Sequence, residues 1–146
     1  MGVSTRTATA VHAMTFLARW ANEGLQSSAR IAESLESNPV LVRRILGSLQ
    51  GAGLVYAVEG SGGGWQLARD AAAISLLDAY TAVEGGGVLL PSHAHAPSQQ
   101  CVVGRHAQAV FEDEFAAARD AMERRLAQTS IADILVRILG RERTTA

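Results

Sequence analysis

The residues best able to do chemistry are gathered in one stretch, SHAHAPSQQCVVGRH, which holds His93, His95, His106 and the only cysteine, Cys101, within 14 residues. Histidine and cysteine together can hold zinc or copper, so His93, His95, Cys101 and His106 are the candidate metal ligands. Neither His-X-His nor a Cys–His pair five residues apart matches a standard structural-zinc spacing, and a loop that is simply polar accounts for the same residues. Thiol chemistry is the second possibility. Cys101 stands just before a long helical pattern, where exposed amide dipoles lower a thiol's pKa, and Arg105 and His106 add positive charge one turn on. Such a thiolate would react with a peroxide or an electrophile, or pair with Cys101 of a second copy. An inert, packed cysteine is the other reading of the same position.

A second group of residues suits a polyanion. Arg43 and Arg44 follow Asn38-Pro39-Val40 in NPVLVRRILGSLQ. Arginine can bridge guanine O6 and N7, and asparagine can do the same for adenine N6 and N7. Of the two arginines, Arg43 is expected to point outward, with Arg44 sideways or on a phosphate. Thr5 and Arg6 near the N-terminus, and Ser28 and Arg30 at the start of a short helix, are candidates for phosphate contact. Ser61, Gly62, Gly63 and Gly64 form a flexible stretch whose bare backbone can approach a sugar-phosphate chain.

The elements that position these residues follow from periodicity. TRTATAVHAMTFLARW reads as a helix with Val11, Met14, Leu17 or Ala18 and Ala21 on one face, and Phe16 and Trp20 adding bulk. SSARIAESL is a short amphipathic helix with Ser28 as its expected N-cap. After ESNP, Val42, Ile45, Leu46 and Leu49 recur at helical intervals, Pro39 suits a first helical position, and Gly51 and Gly53 end the run. Two short helices across a tight turn are a helix-turn-helix pattern, though any two-helix corner has the same outline. LVYAVEG and GGWQLAR then alternate with period two on either side of glycines, which predicts a β-hairpin. A hairpin in that place is a wing.

ISLLDAYTAVEG gives one more helix, with Ser75 as its cap. GGGVLLPSHAHAPSQQ reads as a linker. Beyond it, Val103, Ala107, Phe111, Phe115, Ala118, Met122 and Leu126 advance by fours and threes, a near-heptad stripe that needs a partner surface. SIADILVRILG closes the chain as an apolar helix. The expected division is a winged helix-turn-helix unit over 1–84, a linker and possible sensor loop over 85–102, and dimerisation helices over 103–146. The fold class is mainly α with a small β-hairpin. A second copy of the chain is the simplest partner.

Composition narrows the function classes. The 146 residues are 48% apolar, no run is long enough for a transmembrane helix, and the start lacks a secretory pattern, so a cytoplasmic protein with no membrane partner is expected. All 13 basic residues are arginine and the formal net charge is −1. The stretch 28–69 carries a balance of +1, from four arginines and three glutamates. One cysteine rules out an internal disulfide. No glycine-rich loop follows a first strand and no nucleophile setting surrounds Cys101, so catalysis is not expected.

The segments IAESL, NPVLVRRILGSLQGAGLV, GSGGGWQLAR, ISLLDAYTAVEG and CVVGR, which together span most of residues 5 to 135, resemble the Rrf2 family of winged-helix transcriptional regulators. Trp65 stands where a tyrosine is common after the wing glycines. The resemblance implies a homodimer with crossed long helices, bound to double-stranded DNA at an inverted-repeat operator and acting as a repressor. Cluster-binding members carry three cysteines before the long helix. With only Cys101 there and NPVLVRR in the second helix, this chain more closely resembles the cluster-free branch, so no cofactor is expected. A redox or electrophile signal through Cys101 is the leading sensor expectation. Alternatives are a metal or an organic ligand, the latter near Trp20, Tyr80 and Phe111, or a winged-helix module that binds only protein.

Overall fold

The computed structural model describes residues 4–85 and 91–146. Positions 86–90 of the expected linker therefore lie outside the described residues. Six α-helices and one hairpin follow in the order α1 (Thr5–Arg19), α2 (Ser28–Leu35), α3 (Pro39–Gly51), β1 (Val55–Val58), β2 (Gly64–Leu67), α4 (Leu76–Glu84), α5 (Val102–Ala127) and α6 (Ile131–Thr145).

Helix α1 is the spine. Its buried side chains are Ala10, Ala13, Met14 and Leu17 with Thr7 and Thr15, so the inward face is centred on small residues. Val11 and Ala18, expected on that face, lie half-buried at the edge of the core with Phe16, and Ala21, also expected there, is exposed beyond the end of α1. Alanines at positions 10 and 13 let neighbouring backbones come close, and α1 packs on α2, α3, α4 and α6. Met14, Leu17, Ile31, Val42, Leu46, Leu49, Leu54, Ile74, Ala79 and Ile131 fill the interior around it.

Local caps set the helix boundaries. Ser27, not Ser28, caps α2: its side chain accepts from the Arg30 amide. Either serine suits the position chemically, and the extended backbone at Ser27 decides it. Ser75 caps α4 in a reciprocal capping box with Asp78, and Ser130 does the same for α6 with Asp133.

Helix α6 returns to the winged unit rather than continuing with α5. The Leu76 amide donates to Thr129 O at 2.9 Å and the Ile131 amide to Ile74 O at 2.8 Å. This two-bond bridge buries Ile131 in the common core. The expected 103–146 unit thus contains one helix that projects and one that packs on α1.

Glu84, the last residue of α4, ties that helix to the start of α1. Its carboxylate accepts from the Ser4 hydroxyl, from the Ser4 amide at 3.2 Å and from Thr7 Oγ1 at 2.7 Å, and Arg6 stands 3.5 Å away. The Ser4 hydroxyl, then Thr7, hold the Glu84 carboxyl below its usual range, against the opposing effect of burial. A carboxyl with a depressed folded-state pKa stabilises above its unfolded value and loses that contribution as pH falls through the folded value. Glu84→Gln is therefore expected to cost about 1–2 kcal/mol at pH 7, where charge-assisted bonds are lost. Denaturant unfolding at pH 3 should show a much smaller difference between the two proteins.

Candidate nucleic-acid interface

The turn between α2 and α3 is made by Glu36, in left-handed conformation at φ 47°, followed by Ser37 and Asn38. Asn38 caps α3: its Oδ1 accepts from the Val40 amide at 2.8 Å, and Pro39 fills the first helical position. The cap uses one lone pair of this oxygen and fixes its direction, so any base contact by Asn38 has the second lone pair and the amide nitrogen.

Val42, Ile45, Leu46 and Leu49 are buried, as their spacing predicts. At about 100° per residue, the mean direction of these four leaves Arg44 nearly opposite and Arg43 about 70° to one side. On this geometry Arg44 lies farther from the buried face than Arg43, which was expected to point outward. Both are exposed. Among the described residues neither guanidinium has a salt bridge or hydrogen bond.

Arg6 and Arg30 differ in this respect. Arg6 faces Glu84. Arg30 donates to Gln26 Oε1, stands 3.6 Å from Glu23, and lies over the rings of Trp20 at 5.0 Å and Phe16 at 5.8 Å. Arg19 covers Trp20 at 4.7 Å. Arg30 thus braces the start of α2 against α1. Ser28 occupies the first turn of α2, partly exposed, and Thr5 the first turn of α1, exposed.

The hairpin is antiparallel, pairing Val55 with Leu67, Tyr56 with Gln66, Ala57 with Trp65 and Val58 with Gly64. Tyr56 Oη donates to Gln66 Oε1 at 2.6 Å across the pair. Gln26 adds a third short rung: it exchanges two backbone bonds with Trp65, at 2.9 and 2.7 Å. This places α2, through Ser27, directly beside the wing. The glycines have distinct tasks. A Cβ at Gly64 would sit 2.7 Å from Gln26 O, and one at Gly63 would collide with Val58 O. Gly64 therefore belongs to β2 and its packing, and the exposed tip is Glu59 to Gly62 with Gly63 at its edge.

Cys101 occupies the N-cap position of α5 and is exposed. Its side chain closes no capping hydrogen bond in this geometry, but the Gly104 amide, then that of Val103, lower the thiol's pKa. Arg105, expected to assist, turns to Gln99 O at 2.9 Å. His93 lies 2.9 Å from Gln108 Oε1 and stacks on Phe111, pinning the loop to α5. No group of three or more His, Cys, Asp or Glu among the described residues is placed to hold a metal ion. An open apolar groove of about 840 Å³ runs between α1 and α6, lined by Val11, Phe16, Leu126, Ile134 and Ile138 among others. Trp20, Tyr80 and Phe111, the expected ligand site, do not line it.

A helix-turn-helix with a free pair of arginines, followed by a hairpin braced on the preceding helix, defines a DNA-binding regulator of the winged-helix class. The chain belongs to the Rrf2 family, described as iron-dependent transcriptional regulators, whose model matches residues 3–137. YwnA of Bacillus subtilis (strain 168), which bears the name of an HTH-type transcriptional regulator, is 33% identical over 133 residues, 91% of this chain and 96% of that protein. The structure of IscR from T. potens superposes with a TM-score of 0.72 at 27% identity, covering 94% of this chain and 88% of that one. CymR of B. subtilis, the global cysteine regulator, shares the fold with a TM-score of 0.69 at 23% identity, over 93% and 97% of the two chains. The protein is a regulator and not an enzyme.

The family description raises the question of iron. Iron–sulfur clusters are held by sets of cysteine thiolates, with histidine in some positions. Here the single thiol is Cys101, and His93 is engaged with Gln108 and Phe111. The residues present do not fit a cluster. No helix among the described residues is long and apolar enough to cross a membrane.

Proposed function

We propose that the protein is a homodimeric operator-binding repressor. The unit up to residue 84, with α6 packed on it, reads DNA. The segment 85–102 joins it to α5, and α5 pairs with its copy. The observation that carries this reading is the contrast among the arginines: those on α3 have no partner among the described residues, whereas those at the starts of α1 and α2 are committed to protein partners. Free, exposed guanidinium groups on the second helix of a helix-turn-helix are where base and phosphate contacts are made. Ser27 and Ser28 at the start of α2 and Ser61 and Gly62 at the wing tip supply the flanking backbone contacts.

The dimer is supported by α5, in which 26 consecutive helical residues include none that is buried. Val103 is 66% exposed, Phe111 41% and Phe115 42%. Leu126 at the other end of this stripe also lines the apolar groove between α1 and α6, so the two unpartnered surfaces are continuous. A second copy covers both. Two symmetric reading heads then address half-sites about one DNA turn apart, hence an inverted repeat. Occupation of a promoter by such a dimer blocks transcription.

A redox input through Cys101 is supported by its exposure and by the amides that favour its thiolate. Two Cys101 thiols of a dimer and one hydrogen peroxide give a disulfide and two waters.

Selection of genomic fragments by the purified protein tests all of this. The expected result is enrichment of an inverted repeat, lost after mild peroxide for the wild type and retained for Cys101→Ser. Enrichment without symmetry would remove the dimeric reading. Equal sensitivity of the two proteins to peroxide would remove the thiol.

A further inference from the structure

Gly47 lies in the middle of α3, where glycine costs helix stability relative to alanine. No contact among the described residues requires it. A Cβ built there meets nothing within 4 Å, and the residue is exposed and right-handed helical. Gly63 and Gly64 differ in that each has protein backbone where its Cβ would be. Packing and backbone conformation therefore leave Gly47 unexplained.

Its place on the helix suggests what does explain it. Opposite the buried direction of Val42, Ile45, Leu46 and Leu49 lie Val40, Arg44 and Gly47, within about 30° of one line. Val40 is 54% exposed, and its neighbour Leu41, to one side, 41%. The outermost line of the helix is thus an apolar side chain, an arginine and a bare patch of backbone, in that order from the N-terminal end.

We infer that this line is shaped for close seating on a half-site in which a thymine and a guanine lie one or two base pairs apart, a reading that rests on operator binding by α3. Valine offers no donor or acceptor, so the group in the major groove that rewards it is the thymine C5-methyl. Against a cytosine or adenine amino group it would leave a polar group unpaired. Arg44 takes O6 and N7 of the guanine with both arms of its guanidinium. Four residues of helix advance about 6 Å, against about 3.4 Å per base pair, so Val40 and Arg44 address pairs one or two steps apart. Gly47, on the same line, lets the groove wall approach the helix backbone. An alanine methyl would hold the helix away and lengthen both base contacts.

The test uses the full-length protein and an operator duplex obtained by fragment selection. Each thymine is replaced in turn by deoxyuridine, which removes only the methyl. Wild-type protein is expected to bind about 3- to 10-fold more weakly with deoxyuridine at one position in each half-site, and Val40→Ala to bind both duplexes alike. Gly47→Ala should melt about 2–4 °C higher, from improved helix propensity, yet bind the operator at least about tenfold more weakly. Opposite signs for stability and affinity are the signature of a glycine kept for the ligand. Indifference of the wild type to deoxyuridine at every position would overturn the methyl contact, and unchanged affinity or lower stability of Gly47→Ala would overturn the close seating. If the folded protein bound no fragment at all, the operator reading would fall with this one. Tight binding with neither effect would remove only this inference.

Discussion

Arg44→Ala is expected to weaken binding to the operator by about 30- to 25,000-fold and to relax the preference for one G·C pair in each half-site. A bidentate arginine–guanine contact discriminates by about 1–3 kcal/mol, and a dimer loses it twice. Folding should be unaffected, since the Arg44 side chain is exposed with no partner among the described residues. Substitutions at such positions shift stability by about 0.5 kcal/mol or less. Arg43→Ala should behave differently. A lateral arginine meets a phosphate, so its loss weakens all sequences about equally and makes the salt dependence shallower by about one unit per contact. Arg44→Lys separates charge from geometry, because a lysine keeps the positive charge and lacks the planar fork. Anisotropy titrations on the operator and on a single-pair mutant at two salt concentrations check all three. If Arg44→Ala keeps the wild-type ratio between the two duplexes, Arg44 does not read a base.

The directions of Arg43 and Arg44 are already contained in the sequence, whereas the contacts that other site residues make are not. The period of Val42, Ile45, Leu46 and Leu49 is enough to identify the buried stripe. Deciding which of two adjacent arginines points outward requires the mean direction of all four, and the larger angular distance falls to Arg44. The hairpin was legible because alternation and glycines coincide there, and the cap at Ser75 because a serine precedes the apolar run, while its partner Asp78 emerges with the folded capping box. Contacts made by single residues far apart in the chain leave no such trace. Gln26 pairs with Trp65 through backbone alone, without periodicity, and Glu84 meets Ser4, Thr7 and Arg6 across the whole winged unit. Arg30 looked like a phosphate ligand because the pattern shows a charge at a helix start. The two rings, Glu23 and Gln26 that engage it are brought there only by the packing of α2 on α1. The apolar character of α6 was evident, whereas its return to α1 depends on Thr129 and Ile131 closing onto Leu76 and Ile74.

The other large effect is expected on α5. Phe115→Asp should turn a dimer into a monomer at micromolar concentration and lower affinity for the full inverted repeat by about 10²- to 10⁴-fold. Phe115 is 42% exposed in the single chain, so the folded protomer loses little when it changes. In the dimer the same position carries an aspartate into an apolar seam from both copies. Each ring withdrawn from burial forfeits about 1.5–3 kcal/mol, and an unpaired carboxylate in its place adds a desolvation cost. Monomeric heads then lose the effective concentration that makes binding to the second half-site intramolecular, which is where the loss on the full repeat arises. Binding to an isolated half-site should barely change, because α3 and the wing lie outside the seam. Light scattering across a concentration series and titration of full and half operators separate the two effects. Circular dichroism verifies that the helices persist, and Phe111→Ala gives a milder version where the charge proves too disruptive. Should Phe115→Asp remain dimeric, α5 is not the seam, and the groove between α1 and α6 becomes the surface that joins the copies.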